Sequence, residues 1–179
     1  MKRRFRRLRA QRSVVLLLAA AYVIWRLWFA SGEQAGPAPA VLSAGQYQVR
    51  RVIDGDTLLL DNGARVRLIG ADTPETVHPD RPPEPWGLEA AEFTRAFIGR
   101  RPVRIELDPH DRQDRHGRFL AYVWVDSQML NVELIRHGLA RARLEFPYSE
   151  ARKKVFREAQ AEAQQARRGM WSQPAVPAR

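Results

Sequence analysis

The stretch RVIDGDTLLL (51–60) carries Asp54, Gly55 and Asp56 inside an apolar run, where a strand favours β-branched side chains. Shortly after it, RLIGADTPET (67–76) adds Asp72, Thr73 and Glu75. Acids brought together from two strand ends suit a hard cation, which takes oxygens at about 2.3–2.6 Å from carboxylates, carbonyls and water. Two carboxylates and a backbone carbonyl would hold one such ion and leave positions open. The spacing is not that of an EF-hand loop, so a site here has to be assembled by folding. Pro74 fixes the chain between Thr73 and Glu75 and helps to aim the glutamate. Read alone, both stretches also fit plain turns, because Asp-Gly is a turn pair and Thr-Pro-Glu can begin a helix.

The elements that must position these acids are short. Apolar runs predict strands over 46–53, 57–60, 64–69, 103–107 and 120–125. The second and third are joined through DNG (61–63), a strong hairpin turn. Ala91, Phe93, Thr94 and Phe97 stand at helical spacing and predict a helix over 88–98, and a short helix over 130–137 is stopped by Gly138. Residues 149–168 predict a longer polar helix capped by Ser149, with Glu150, Lys153, Arg157, Glu158 and Glu162 exposed. Arg152, Lys153, Lys154 and Arg157 read as a solvated face of it, and Trp124 and Trp171 as core. HPDRPPEPWG (78–87) reads as a proline-rich loop. Five strands with helices packed on them fit a small OB-fold barrel, which offers a strand face to nucleic acid, or a mixed α+β sandwich.

Composition restricts the chemistry. No cysteine is present, which excludes disulfides, thiolate metal sites and a cysteine nucleophile. His78, His110, His116 and His137 lack metal-ligand spacing and read as surface or packing residues. The net charge of +10 is mostly a tail: seven basic residues lie in 1–12, and the other 167 residues carry 23 basic against 20 acidic side chains. Any anion-binding surface must therefore be local.

The tail adjoins a 17-residue, mainly apolar run from Val14 to Ala30, interrupted by Arg26 and flanked by Trp25, Trp28 and Phe29. Residues 13–30 are expected to be a single transmembrane anchor. The basic tail places 1–12 in the cytoplasm and the remainder outside it, at a bacterial inner membrane. A cleaved signal peptide, leaving a secreted product, is the rival. Residues 31–45 read as a flexible linker, 46–172 as the folded domain and 173–179 as a disordered tail.

Four blocks in order, VIDGDTLLL, RLIGADTPET, DRHGRFLAYVWV and LIRHGLA, resemble the staphylococcal nuclease (thermonuclease) family over about 125 residues, from Tyr47 to Trp171. The resemblance implies a five-stranded OB-fold barrel with about three packed helices that hydrolyses phosphodiesters of DNA or RNA with calcium (Ca2+). It implies Asp56, Asp72 and the Thr73 carbonyl as metal ligands, Asp54 close behind them, Glu75 as the base that activates water, and Arg67 and Arg118 as phosphate-gripping catalytic residues. These types suit the reaction, since a phosphodiester gains charge under attack and guanidiniums grip its oxygens bidentately. Without the motifs, Arg67 would pass for an exposed strand charge and Arg118 for the partner of Asp114.

The chain departs from the family where nucleotides stack. The family's lysine–tyrosine pair falls on Arg115 and His116, and two of its tyrosines fall on Leu144 and Phe146. These four are the candidate substrate-binding residues. Tyr148 would restore a ring if the loop after Phe146 is shifted. A non-catalytic OB module that only binds nucleic acid is the alternative function, and it would have no use for the complete acid–arginine set. No protein partner is inferable, and the barrel is expected to act as a monomer.

Overall fold

A buried layer of Leu58, Leu60, Val66, Leu68, Val103, Ile105 and Val123 forms the centre of a mixed sheet. The computed structural model describes residues 41–76, 82, 84–109 and 113–172. The basic tail, residues 13–30, most of the linker, and 173–179 lie outside them. No helix among the described residues is long and apolar enough to cross a membrane.

In chain order the elements are β1 (Gly45–Tyr47), β2 (Val49–Asp54), β3 (Thr57–Leu60), β4 (Arg65–Leu68), β5 (Ala71–Asp72), α1 (Gly87–Ile98), β6 (Val103–Leu107), β7 (Phe119–Val125), β8 (Gln128–Met129), α2 (Leu130–Arg136), β9 (Arg141–Ala142) and α3 (Glu150–Gln165), followed by a 3₁₀ turn at Gly169–Trp171. The fold is α+β. Its main sheet has the order β1-β6-β7-β4-β3-β2 with β8 beside β7, and β5 pairs with β9 separately. All neighbours are antiparallel except β4 and β7.

The sheet holds seven strands among the described residues rather than five. The strand expected over 46–53 breaks at Gln48, so β1 pairs with β6 while β2 pairs with β3. The two ends of the strand order are thus joined through one residue. Two register shifts in β2, before Arg51 and before Asp54, bend it further. The hairpin forms as expected: Gly63 has φ 83, the Gly63 N–H donates to Leu60 O at 3.1 Å, and Leu60 N–H to Ala64 O at 2.9 Å.

The helices depart from expectation mainly at their edges. Ser149 precedes α3 but its side chain makes no cap bond, and its backbone N–H donates to Asp108 Oδ2 at 3.2 Å. Lys153 is not exposed; its ammonium lies over the Tyr148 ring, 5.3 Å from the centroid, and meets Glu150 at 2.8 Å. Arg152 likewise leaves the solvated face to bond Glu106 at 2.7 Å. Trp124 and Trp171 are only partly buried, and the guanidiniums of Arg104 and Arg152 lie 4.6 and 5.3 Å from the centroid of the Trp124 ring.

Candidate active site

The β2–β3 turn answers why two acids flank a glycine. Asp54 points back into the turn, where its Oδ1 accepts the Gly55 N–H at 2.9 Å and the Thr76 hydroxyl at 2.8 Å. It ties the turn to the loop after β5 and supports the site from behind. Gly55 leaves room for that loop: a Cβ there would lie 2.8 Å from both Thr73 Cγ2 and Ala90 Cβ. Its carbonyl is held by the Thr94 hydroxyl of α1 at 2.6 Å. With the gap closed, Asp56 is fully buried and its Oδ2 accepts the Thr73 N–H at 2.7 Å. Burial pushes the Asp56 pKa up, while Arg67 and the Thr73 N–H pull against that rise.

Arg67 is placed by register. It pairs with Thr57 across β3–β4 and with Leu120 across β4–β7. Its guanidinium forks onto two acids, Nη1 on Asp56 Oδ1 and Nη2 on Asp72 Oδ1. Asp72 is brought there by the β5–β9 ladder, in which it pairs with Arg141. The segment before β5 is clamped by buried Asn131, whose Nδ2 donates to Ile69 O at 2.9 Å while its Oδ1 accepts the Val123 N–H at 2.9 Å. Arg118, two residues before Leu120 and so on the same sheet face as Arg67, lines the same cavity. Its side chain bonds Asp114 Oδ2 at 2.7 Å, the local pairing that its spacing allows. Burial alone would raise the Asp114 carboxyl, but the backbone N–H groups of Arg118 and His116 and the Arg118 guanidinium outweigh it and hold the pKa low.

A family model described as staphylococcal nuclease homologue matches residues 65–173. The chain belongs to the staphylococcal nuclease homologue family. Thermonuclease of Staphylococcus intermedius is 40% identical over 163 residues, which cover 88% of this chain and 95% of that protein. Thermonuclease of Staphylococcus hyicus is 36% identical over the same shares. Endonuclease YncB of Bacillus subtilis (strain 168) is 34% identical over 125 residues, 68% of this chain and 59% of its own length.

In this staphylococcal nuclease homologue the expected residues converge unequally. Asp56, Asp72, Arg67 and Thr73 meet through the bonds above. Arg67, Asp72, Arg115, Arg118 and Phe146 line one cavity of about 380 Å³. Glu75 is exposed and outside that lining; its carbonyl accepts the Glu84 N–H at 2.9 Å and its N–H reaches Glu84 Oε2 at 3.3 Å. His116 and Leu144 are not part of the lining either. His116 accepts the Arg115 Nε–H at 3.1 Å, and Leu144 packs partly buried against the core. Tyr148 also lines this cavity. It is 5% exposed, packs on Phe156 with ring centroids 5.9 Å apart, and donates its hydroxyl to Arg143 O at 2.7 Å.

Two charged cavity residues, Asp108 and Arg143, were not expected. Asp108, 2% exposed, accepts the Tyr122 hydroxyl at 2.6 Å. Burial and the Asp108 carboxylate push the Tyr122 pKa up, so that hydroxyl stays a donor. Arg143 Nη1 donates to Asp72 Oδ2 at 2.9 Å. Its only sequence signal is the alternation Arg-Ala-Arg over 141–143, which names no partner.

The acids fit a hard cation by their chemistry. No group of three or more His, Cys, Asp or Glu that could hold a metal occurs among the described residues. An ion here would rest on two carboxylates completed by carbonyl and water oxygens. The Arg67 fork marks where both carboxylates converge on positive charge.

Proposed function

We propose that the chain is a nuclease that hydrolyses phosphodiester bonds of DNA or RNA with calcium, in a domain held outside the cytoplasm. The observation that carries this reading is the Arg67 fork on Asp56 and Asp72, with Arg118 on the same cavity face. Two relatives covered almost end to end are thermonucleases, which supports the same activity here. Asp56, Asp72 and the Thr73 carbonyl would hold calcium, which would supply positive charge to a phosphoryl oxygen. Arg67 and Arg118 grip the remaining oxygens as charge builds on them. Glu75, on the Pro74 loop, takes the proton of the attacking water. The strand order, whose ends meet at Gln48, is consistent with closure into an OB-type barrel.

Cleavage separates this function from a module that only binds. The full-length protein with calcium should fragment both linear and circular single-stranded DNA, as followed on denaturing gels. Retardation of intact DNA without fragmentation would leave the binding module as the better reading.

The location rests on the sequence of residues 1–30. Seven basic residues before Val14, and none from Ser31 to Val49, favour an anchor with the domain on the outer side of the inner membrane. Protease added to sealed spheroplasts should digest the domain, and protection of the domain would reverse the topology.

A further inference from the structure

We propose that Arg143 is a substrate-binding residue of this site, which takes a phosphate of the nucleic acid beside the one being cleaved. The proposal rests on the nuclease reading and names the group that replaces a stacking tyrosine. Arg143 follows β9 directly, and its backbone N–H donates to Gly70 O at 2.9 Å, so its Cα is fixed against the strand that delivers Asp72. Its side chain lines the cavity shared by Arg67, Arg115 and Arg118. Nη1 bonds Asp72 Oδ2 at 2.9 Å, Nε bonds Glu145 Oε1 at 2.5 Å, and Cζ lies 5.3 Å from the centroid of the Phe146 ring. The ring is 52% exposed and acts as a shelf that keeps the planar guanidinium at the cavity mouth.

Asp72 already serves two guanidiniums, with Oδ1 on Arg67 and Oδ2 on Arg143. A cation held by Asp72 competes for those oxygens and weakens its hold on Arg143. The guanidinium is then left at the cavity mouth with unfilled donors, and a phosphodiester oxygen beside the scissile group is the acceptor the substrate provides. A guanidinium backed by Phe146 recognises charge and ignores the base, whereas a tyrosine pair would read the base face. Substrate binding here should therefore depend on phosphate and little on base identity.

The rival role for Arg143 is that of a pin for Asp72, and calcium binding separates the two. Thymidine 3′,5′-bisphosphate is titrated calorimetrically into full-length wild type, Arg143→Ala and Arg143→Lys with calcium present, and calcium alone is titrated into each. Arg143→Ala should weaken the bisphosphate about tenfold, the scale of one charge-assisted bond. Arg143→Lys should recover part of that loss, and the gap between wild type and Arg143→Ala should narrow as salt rises. Calcium alone should bind Arg143→Ala no more weakly than wild type, because a competitor for Asp72 has been removed. Bisphosphate affinity within twofold of wild type would overturn the proposal, as would an equal loss of calcium affinity, which would leave Arg143 as a pin. A wild-type chain that neither cleaves DNA nor binds the bisphosphate would overturn the nuclease reading together with it.

Discussion

Glu75→Gln is expected to lower kcat by about 10²- to 10⁴-fold, the usual contribution of a general base, while nucleotide affinity changes little. Glutamine keeps the length and shape of the side chain. The two backbone contacts that set the loop, Glu84 N–H to Glu75 O and Glu75 N–H to Glu84 Oε2, involve no atom that the substitution alters. Gly87 allows the N-terminus of α1 to press on this loop, since a Cβ there would lie 2.8 Å from Thr76 Cγ2 and 3.0 Å from Pro74 O. These backbone contacts should therefore persist while the carboxylate proposed as proton acceptor is lost. Single-turnover cleavage of a labelled oligonucleotide, with nucleotide affinity measured on the same samples, checks this. A near wild-type turnover would remove Glu75 from the role of base.

Local elements were legible where local rules decide them. β3 and β6 occupy Thr57–Leu60 and Val103–Leu107 as expected, because short apolar runs between turn residues leave few alternatives. Asp56 and Asp72 drew notice as acids at strand ends, but their roles, like Arg67 and Arg118, came from motif blocks, not from spacing, and the fold shows why spacing is silent. Arg67 reaches Asp56 only through the β3–β4 register, and Asp72 only through a ladder with β9. That ladder has two residues per strand, too short for any periodicity to register. Arg143 escaped notice for the same reason, since its bond to Asp72 spans 71 positions. Arg118 shows the converse case, because its pairing with Asp114 lies within one turn of chain and was readable as a local salt bridge. Ser149 does take the N-cap position before α3, but its side chain makes no cap bond, and its backbone N–H goes to the buried carboxylate of Asp108, a partner 41 positions away that no local rule names.

Removal of the cation should have an effect at least as large as loss of the base. Arg67 is bonded to both Asp56 and Asp72, and Arg118 to Asp114, so acids engage both guanidiniums proposed to grip phosphate. An ion on Asp56 and Asp72 offsets those carboxylates and leaves the arginine charge for the phosphate. Calcium suits a site of carboxylate, carbonyl and water oxygens with loose geometry, whereas magnesium demands a near-octahedral shell and gives up water reluctantly. The most direct measurement is cleavage of one labelled single-stranded oligonucleotide by the full-length protein in calcium, in magnesium and in excess chelator, with Asp56→Asn alongside. Cleavage in calcium, little in magnesium, none in chelator and about a hundredfold loss in Asp56→Asn is the expected result; full cleavage in excess chelator would contradict the account.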